Sequence, residues 1–286
     1  MPPDISFPNL GIEIANLSPF VFTIAGFSVY WYGVLITLGI VAGYLTAQIE
    51  AKRSGQKHKD YADLVIIAVL SALVGLRLFF VIFNWDIYRH DPIRIITGIR
   101  GGGLAIFGGL IACIICLYVF GRVRKIGPML VLDTCAPSFA LGQAIGRFGN
   151  FFNREAFGGY TNNLFAMRLR IDQVRGPITP ELSANTIYDR GMTYIQVHPT
   201  FLYEATWSLT VFILLTLYRP RKKFEGEVFW LFLLSYGFIR FFLENLRTDP
   251  LMAGTIQASQ LTAGLMFIAA LIAIALQRLR LRQNAK

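Results

Sequence analysis

The sequence predicts an all-α polytopic membrane protein: seven transmembrane helices with a small mixed cap outside the bilayer. Three observations carry this. Hydrophobic residues make up 55% of the chain and charged residues only 15%, against roughly 25% charged in an average soluble chain. Apolar runs recur at about 18 residues or more, the length of a membrane helix. The basic residues gather in short connections between these runs, as the positive-inside rule requires. The net charge of +10 therefore reports orientation, and no nucleic-acid partner is expected.

The spans fall at about 27–48, 62–83, 103–120, 128–146, 201–218, 226–247 and 257–277, each near 20 residues. Before them, Phe7–Phe27 carries no Lys or Arg and reads as an interfacial helix. The absence of any Lys or Arg before Lys52 also removes the basic region of a cleavable signal peptide. Lys52, Arg53, Lys57 and Lys59 follow span 1; Arg122, Arg124 and Lys125 follow span 3. Arg219, Arg221, Lys222 and Lys223 follow span 5; Arg278, Arg280, Arg282 and Lys286 follow span 7. All four segments lie on one side, which the rule makes cytoplasmic, with the N-terminus outside and the C-terminus inside. The long connection between spans 4 and 5 is then external. Leu164–Ile171 and Thr193–His198 alternate as short strands do. One membrane domain, 1–286, with a cap insert at 159–200, accounts for the length. Cys113, Cys116 and Cys135 lie in apolar stretches without a His-rich neighbourhood and read as buried small hydrophobes.

Polar residues inside spans are costly unless they serve a site. On this topology they gather near one depth, in the outer leaflet. The segments are Tyr30–Gly33 of span 1, Arg77 of span 2, Gly101–Gly103 and Gly108–Gly109 of span 3, Gly142–Gly159 after span 4, His198–Glu204 before span 5 and Tyr236–Arg247 of span 6. Six distant segments sharing one depth predict a single site, cationic through Arg147 and Arg240, with Arg77 and Arg247 as further contributors. At 100° per residue Tyr236, Arg240, Glu244 and Arg247 fall within about 80° of one another, a polar stripe on an aromatic helix. Arg240 and Glu244, four apart, can pair. Arginine forks suit phosphate, so an outer-leaflet Arg cluster beside glycine-rich backbone points to a phosphate-bearing lipid headgroup. Snorkelling to the interface is an adequate account of Arg154 and Arg247 taken singly, and a poorer one of Arg147, between Gly146 and Gly149. Glu204 reads as an arginine partner, Asp133 as interfacial, and His198 as structural more readily than catalytic.

GRFGNFFNREAFGG (Gly146–Gly159) resembles the signature of the prolipoprotein diacylglyceryl transferases, and so do SVYWYG (Ser28–Gly33), GGGLAIFGGL (Gly101–Leu110), HPTFLYE (His198–Glu204) and YGFIRFFLENLR (Tyr236–Arg247). The matches keep their order through essentially the whole chain. The resemblance implies an enzyme of the bacterial cytoplasmic (inner) membrane, multi-pass, with its site on the outer side. It implies transfer of the diacylglyceryl group of phosphatidylglycerol to the lipobox cysteine of a preprolipoprotein, as a thioether, with release of glycerol phosphate and no cofactor or metal. By motif, Arg147 takes the position of the family's phosphatidylglycerol-binding arginine, with Gly158, Tyr236 and Arg247 as further substrate-binding positions. Arg240, Glu244, Tyr32, Glu155 and Asn150 take catalytic positions, and His198 is a candidate base. Phe107 stands where the family often has a histidine proposed to act on the thiol, and Phe201 where a glutamine is common. The chemistry needs a thiol, of ordinary pKa about 8.5, presented as thiolate, and a stabilised phosphate leaving group. A transporter or flippase for an anionic lipid would use the same arginines. Transporters, however, place sites at midplane between repeated halves, and no repeat is visible here.

Overall fold

A computed structural model describes residues 1–24, 26–97, 106–248, 252–253 and 256–284. They cluster into two compact units, Met1–Gly43 with Ala136–Lys286, and Tyr44–Cys135. In chain order come strands β1 (Ile5–Phe7), β2 (Ile12–Ile14), β3 (Phe20–Ile24) and β4 (Phe27–Tyr30), then helices α1 (Trp31–Arg53), α2 (Asp60–Phe83), α3 (Trp85–Tyr88), α4 (Arg94–Thr97), α5 (Ile106–Val123) and α6 (Pro128–Asn153). These are followed by β5 (Met167–Arg170), α7 (Pro180–Ala184), β6 (Ile187–Asp189), β7 (Met192–Val197), α8 (Thr200–Tyr218), α9 (Glu227–Glu244), β8 (Met252–Ala253), β9 (Ile256–Gln257) and α10 (Ala258–Asn284).

Five of these helices are long and apolar enough to cross a membrane: α1, α2, α6, α8 with the turn that follows it, and α10. The chain is a polytopic membrane protein. α5 and α9 occupy the positions of spans 3 and 6; α9 carries three charged residues, Glu227, Arg240 and Glu244, in 18. Glycines let neighbouring helices approach closely. A Cβ on Gly142 of α6 would meet the Gly39 carbonyl oxygen of α1 at 3.4 Å, and one on Gly108 of α5 would overlap Gly75 of α2 at 2.0 Å.

Three expectations change. The leader is not an interfacial helix: β1 and β2 are strands, and β3 pairs with β4 as a hairpin. Pro8, Gly11 and Pro19 interrupt any helix there, since proline lacks the amide that a helix interior needs. The sheet is accordingly larger than the connection between spans 4 and 5. Its order is β2-β1-β5-β7-β6, all antiparallel, so N-terminal strands complete it. Its core gathers Ile5, Phe157, Leu169, Leu182, Ile195 and Phe201 from strands, loop, α7 and α8. Lastly, α6 runs to Asn153, seven residues past the expected end of span 4, so Arg147 and Asn150 sit on helix. Asp133 is fully buried in α6.

Candidate active site

The site grows from the last two turns of α6 and the chain that leaves it. Two glycines there are small for a reason of packing: a Cβ on Gly146 would lie 3.3 Å from Ile36 Cδ1, and one on Gly149 2.5 Å from the Tyr32 ring, both of α1. Tyr32 is thereby laid against α6, within electrostatic reach of Glu155 and Arg147. The helix ends because Arg154 turns left-handed at φ 53, and Ala156 does the same at φ 53. Neither is glycine, so the backbone on both sides of Glu155 is held in a conformation costing about 1–3 kcal/mol per residue. The strain aims one carboxylate: Glu155 Oε1 accepts from Asn150 Nδ2 and Asn153 Nδ2, each at 3.1 Å.

Buried bonds hold that bend. Thr200 Oγ1 donates to the Ala156 carbonyl. Arg154 is 4% exposed, donates to the Leu17 carbonyl at 2.5 Å and lies 3.9 Å from Asp4. Arg154 is thus a buried tie to the N-terminal segment and does not snorkel. Burial lowers its pKa, with Asp4 opposing. Gly158 lies in a bridge, pairing with Arg247 and donating its N–H to the His198 carbonyl at 3.0 Å. A Cβ there would stand 2.8 Å from both the Leu246 carbonyl and His198 Cβ, so this approach admits only glycine.

Charge enters from three helices. Glu204 on α8, 4% exposed, bridges two arginines. Its Oε2 contacts Arg147 Nη2 of α6, and its Oε1 contacts Arg240 Nη1 of α9 at 3.4 Å. Arg240 Nη2 also lies 2.9 Å from Glu244 Oε2, off the hydrogen-bonding direction, so charge alone holds that contact. The expected i, i+4 pair exists, and Glu204 is the arginine partner it was read to be. The site is not simply cationic: Arg147 and Arg240 are matched by Glu204 and Glu244, because buried charge without a partner is prohibitive.

The remaining candidate residues divide. Tyr236 lies one turn before Arg240 and stacks on Phe232, centroids 6.2 Å apart. Arg247 does not share the helical stripe, since α9 ends at Glu244; the bridge to Gly158 brings it to the site instead. His198 bonds through Nδ1 to the Tyr203 hydroxyl at 3.3 Å, and burial lowers its pKa, with Glu181 opposing. Arg77, in the second unit, spends its guanidinium on the Arg94 and Ile95 carbonyls of α4, both at 2.7 Å. Gly101–Gly103 lie outside the described residues, as does the Phe107 side chain. The sequence reading gave no role to Thr200, Tyr203, Asn163 or Asp4, although Thr200 and Tyr203 lie in the His198–Glu204 segment it singled out.

The family model described as prolipoprotein diacylglyceryl transferase matches residues 19–276. The phosphatidylglycerol–prolipoprotein diacylglyceryl transferase of Finegoldia magna is 41% identical over 252 residues, covering 88% of this chain and 92% of that protein. Proteins of the same name from Limosilactobacillus reuteri (strain DSM 20016) and Bacillus cytotoxicus are 40% and 38% identical, over 94% and 96% of this chain and 94% of each relative.

Proposed function

This chain belongs to the prolipoprotein diacylglyceryl transferase family, and from that premise we propose how its residues move a diacylglyceryl group from phosphatidylglycerol to a prolipoprotein. The acceptor is the lipobox cysteine thiol of the preprolipoprotein. Its sulfur attacks the glyceryl carbon that bears the phosphate. A carbon–sulfur bond forms, the carbon–oxygen bond breaks with its electron pair going to the phosphate oxygen, and glycerol phosphate leaves. The thiol proton passes to a base.

The phosphate starts as a singly charged diester and leaves carrying more charge. Groups that bind that growing charge accelerate the step. Arg147 and Arg240 have this role. Among the described residues Glu204 is the one ion-pair partner of Arg147, and a guanidinium has five donors, so donors are left for phosphate. Glu204 sets the spacing of the two arginines, and Glu244 holds Arg240 from the other side. The same field favours the thiolate of the incoming cysteine. Glu155, fixed by Asn150 and Asn153, shapes the headgroup side with Tyr32. Gly158, Tyr236 and Arg247 border the lipid.

We further place the chain in the bacterial cytoplasmic membrane with seven spans, α5 and α9 completing the five. Its N-terminus and the sheet lie outside, and its C-terminus lies inside. The four basic connections support this orientation. The sheet is the external cap, and the catalytic centre faces it. Membrane lipid and the signal peptide enter sideways between helices. Phosphatidylglycerol and the prolipoprotein are the partners, and no cofactor takes part.

The observation that carries the reading is the Arg147–Glu204–Arg240–Glu244 chain of alternating charge, buried among apolar helices. The test is purified protein with phosphatidylglycerol and a lipobox peptide. Thioether product and glycerol phosphate are expected. Arg147→Ala is expected to abolish turnover while leaving the fold intact, because Glu204 keeps Arg240. Bound lipid that crosses the bilayer without thioether product would favour the flippase reading, and full turnover in Arg147→Ala would remove the arginine's role.

A further inference from the structure

The proton that His198 carries can be traced from a donor whose direction is fixed. The backbone N–H of Phe165 donates to Asn163 Oδ1 at 3.0 Å. This is an Asx turn, the side-chain oxygen accepting from the amide two residues on. It fixes which end of the Asn163 amide is oxygen, a choice otherwise made only by the surrounding bonds. The turn is itself pinned: the Asn163 carbonyl accepts from Ala166 N–H at 3.0 Å and from Asn9 Nδ2 at 2.7 Å. With the oxygen occupied, Asn163 Nδ2 faces Tyr203 and donates to its hydroxyl at 3.1 Å.

Tyr203 has one hydroxyl proton. Its other hydrogen-bond neighbour among the described residues is His198 Nδ1, at 3.3 Å. With Asn163 donating to the hydroxyl oxygen, the arrangement that pairs every one of these groups among the described residues has the Tyr203 hydroxyl donating to Nδ1. The reverse, an Nδ1–H donating to Tyr203, would leave the Tyr203 proton with no acceptor among the described residues. A neutral imidazole that accepts at Nδ1 carries its proton at Nε2. The neutral form is also the one that burial favours here. His198 itself is anchored on both sides of its backbone, its carbonyl taking the Gly158 N–H and its N–H reaching the Gly159 carbonyl, each at 3.0 Å.

We infer that Asn163 and Tyr203 are positioning residues that hold His198 in its Nε2–H tautomer, so that the imidazole meets a ligand as a hydrogen-bond donor and not as a proton acceptor. The group that suits it is an oxygen acceptor, such as an ester carbonyl or a phosphate oxygen. A thiol proton has nowhere to go on a nitrogen that already holds one, which takes His198 out of the role of base. This assignment is argued from the hydrogen bonds around Tyr203 and stands apart from the transfer reaction proposed above.

The experiment is a two-bond proton–nitrogen correlation spectrum of the full-length protein in micelles, labelled with 15N at histidine. The chain has three histidines, and the His198 signals are those missing from His198→Gln. Above the pKa of the ring, the expected pattern has Nε2 protonated and Nδ1 bare. Tyr203→Phe is expected to relax this toward a mixture, a loss of about fivefold in tautomer bias, the size of one net hydrogen bond. Asn163→Ala, at an exposed position, is expected to move the signals the same way and serves where Tyr203→Phe does not fold. An Nδ1–H pattern in the unaltered protein overturns the inference, as does a pattern that neither substitution moves. Absence of thioether product with the Nε2–H pattern intact would sink the reaction and leave the tautomer standing.

Discussion

Glu204→Gln tests the charged chain at its centre. The substitution keeps shape and removes one negative charge from a carboxylate 4% exposed. Arg147 then loses its ion-pair partner, and Arg240 must rely on Glu244 across the 2.9 Å contact. Removing one member of a buried pair costs about 3–5 kcal/mol. Here the cost falls below that range, to about 2–3 kcal/mol after allowance for solvent reaching the Arg147 and Arg240 side chains, which are 20% and 15% exposed. Turnover is expected to fall about 100-fold, since a displacement of both guanidiniums that loses about 2.7 kcal/mol of transition-state stabilisation gives that factor. Unfolding in mixed micelles measures the first quantity, and thioether formation measures the second. The double variant Glu204→Gln/Arg147→Gln removes the unpaired charge along with its cause. It should recover part of the stability lost, with a coupling of about 0.5–3 kcal/mol. If Glu204→Gln unfolds within about 0.5 kcal/mol of the parent, the usual range for a surface change, and turns over normally, the alternating chain is not what organises the site.

Three further outcomes follow from the same geometry. Gly158→Ala forces a methyl to 2.8 Å from the Leu246 carbonyl and His198 Cβ; about 1–3 kcal/mol of stability should go, with turnover falling alongside, and an unchanged unfolding midpoint would contradict the packing. Asp4 is pushed up by burial, but bonds from the Leu17 N–H and Gln173 and the charges of Arg154 and Arg170 outweigh this and hold its carboxyl below 3.8. Its contribution is therefore complete above about pH 4 and disappears as pH falls through the lowered value; unfolding followed by pH should show an acid loss that Asp4→Asn flattens. Phe107→Ala should reduce turnover less than Arg147→Ala does, and the opposite ranking in the same assay would return attention to the start of α5.

Much of the helical frame is legible because apolar length is written in the sequence. Span 5 was expected at 201–218, and α8 runs over Thr200–Tyr218. Pairing of Arg240 with Glu244 was also legible, since spacing along one helix decides it. The polarity of the site was misjudged because spacing says nothing of partners on other helices: Glu204 reaches Arg147 and Arg240 only once α6, α8 and α9 pack. The end of α6 was placed too early because an Arg between glycines looks like loop. The helix in fact persists until Arg154 takes a left-handed turn, a conformation arginine does not advertise. β1 was invisible because three residues, Ile5–Phe7, make no periodic pattern, and their partner lies far along the chain.

That distant pairing constrains the order in which the molecule is made. β1 lies between β2 and β5, Ile5 facing Leu169, and β5 in turn needs β7, which ends at Val197. β1 therefore has no neighbour in the sheet but its own hairpin partner until four long helices and five further strands, β3 to β7, have been synthesised. At about 5–20 residues per second that interval is on the order of ten to forty seconds. Throughout it the Asp4 carboxylate lacks Arg154 and Arg170, and the edge of β1 lies open to any other strand. A two-stranded ribbon alone is marginal in water, so the segment waits unfolded. The bend that aims Glu155 is locked only when the beginning of the chain returns to meet its middle, which makes assembly of the site one of the last events of folding.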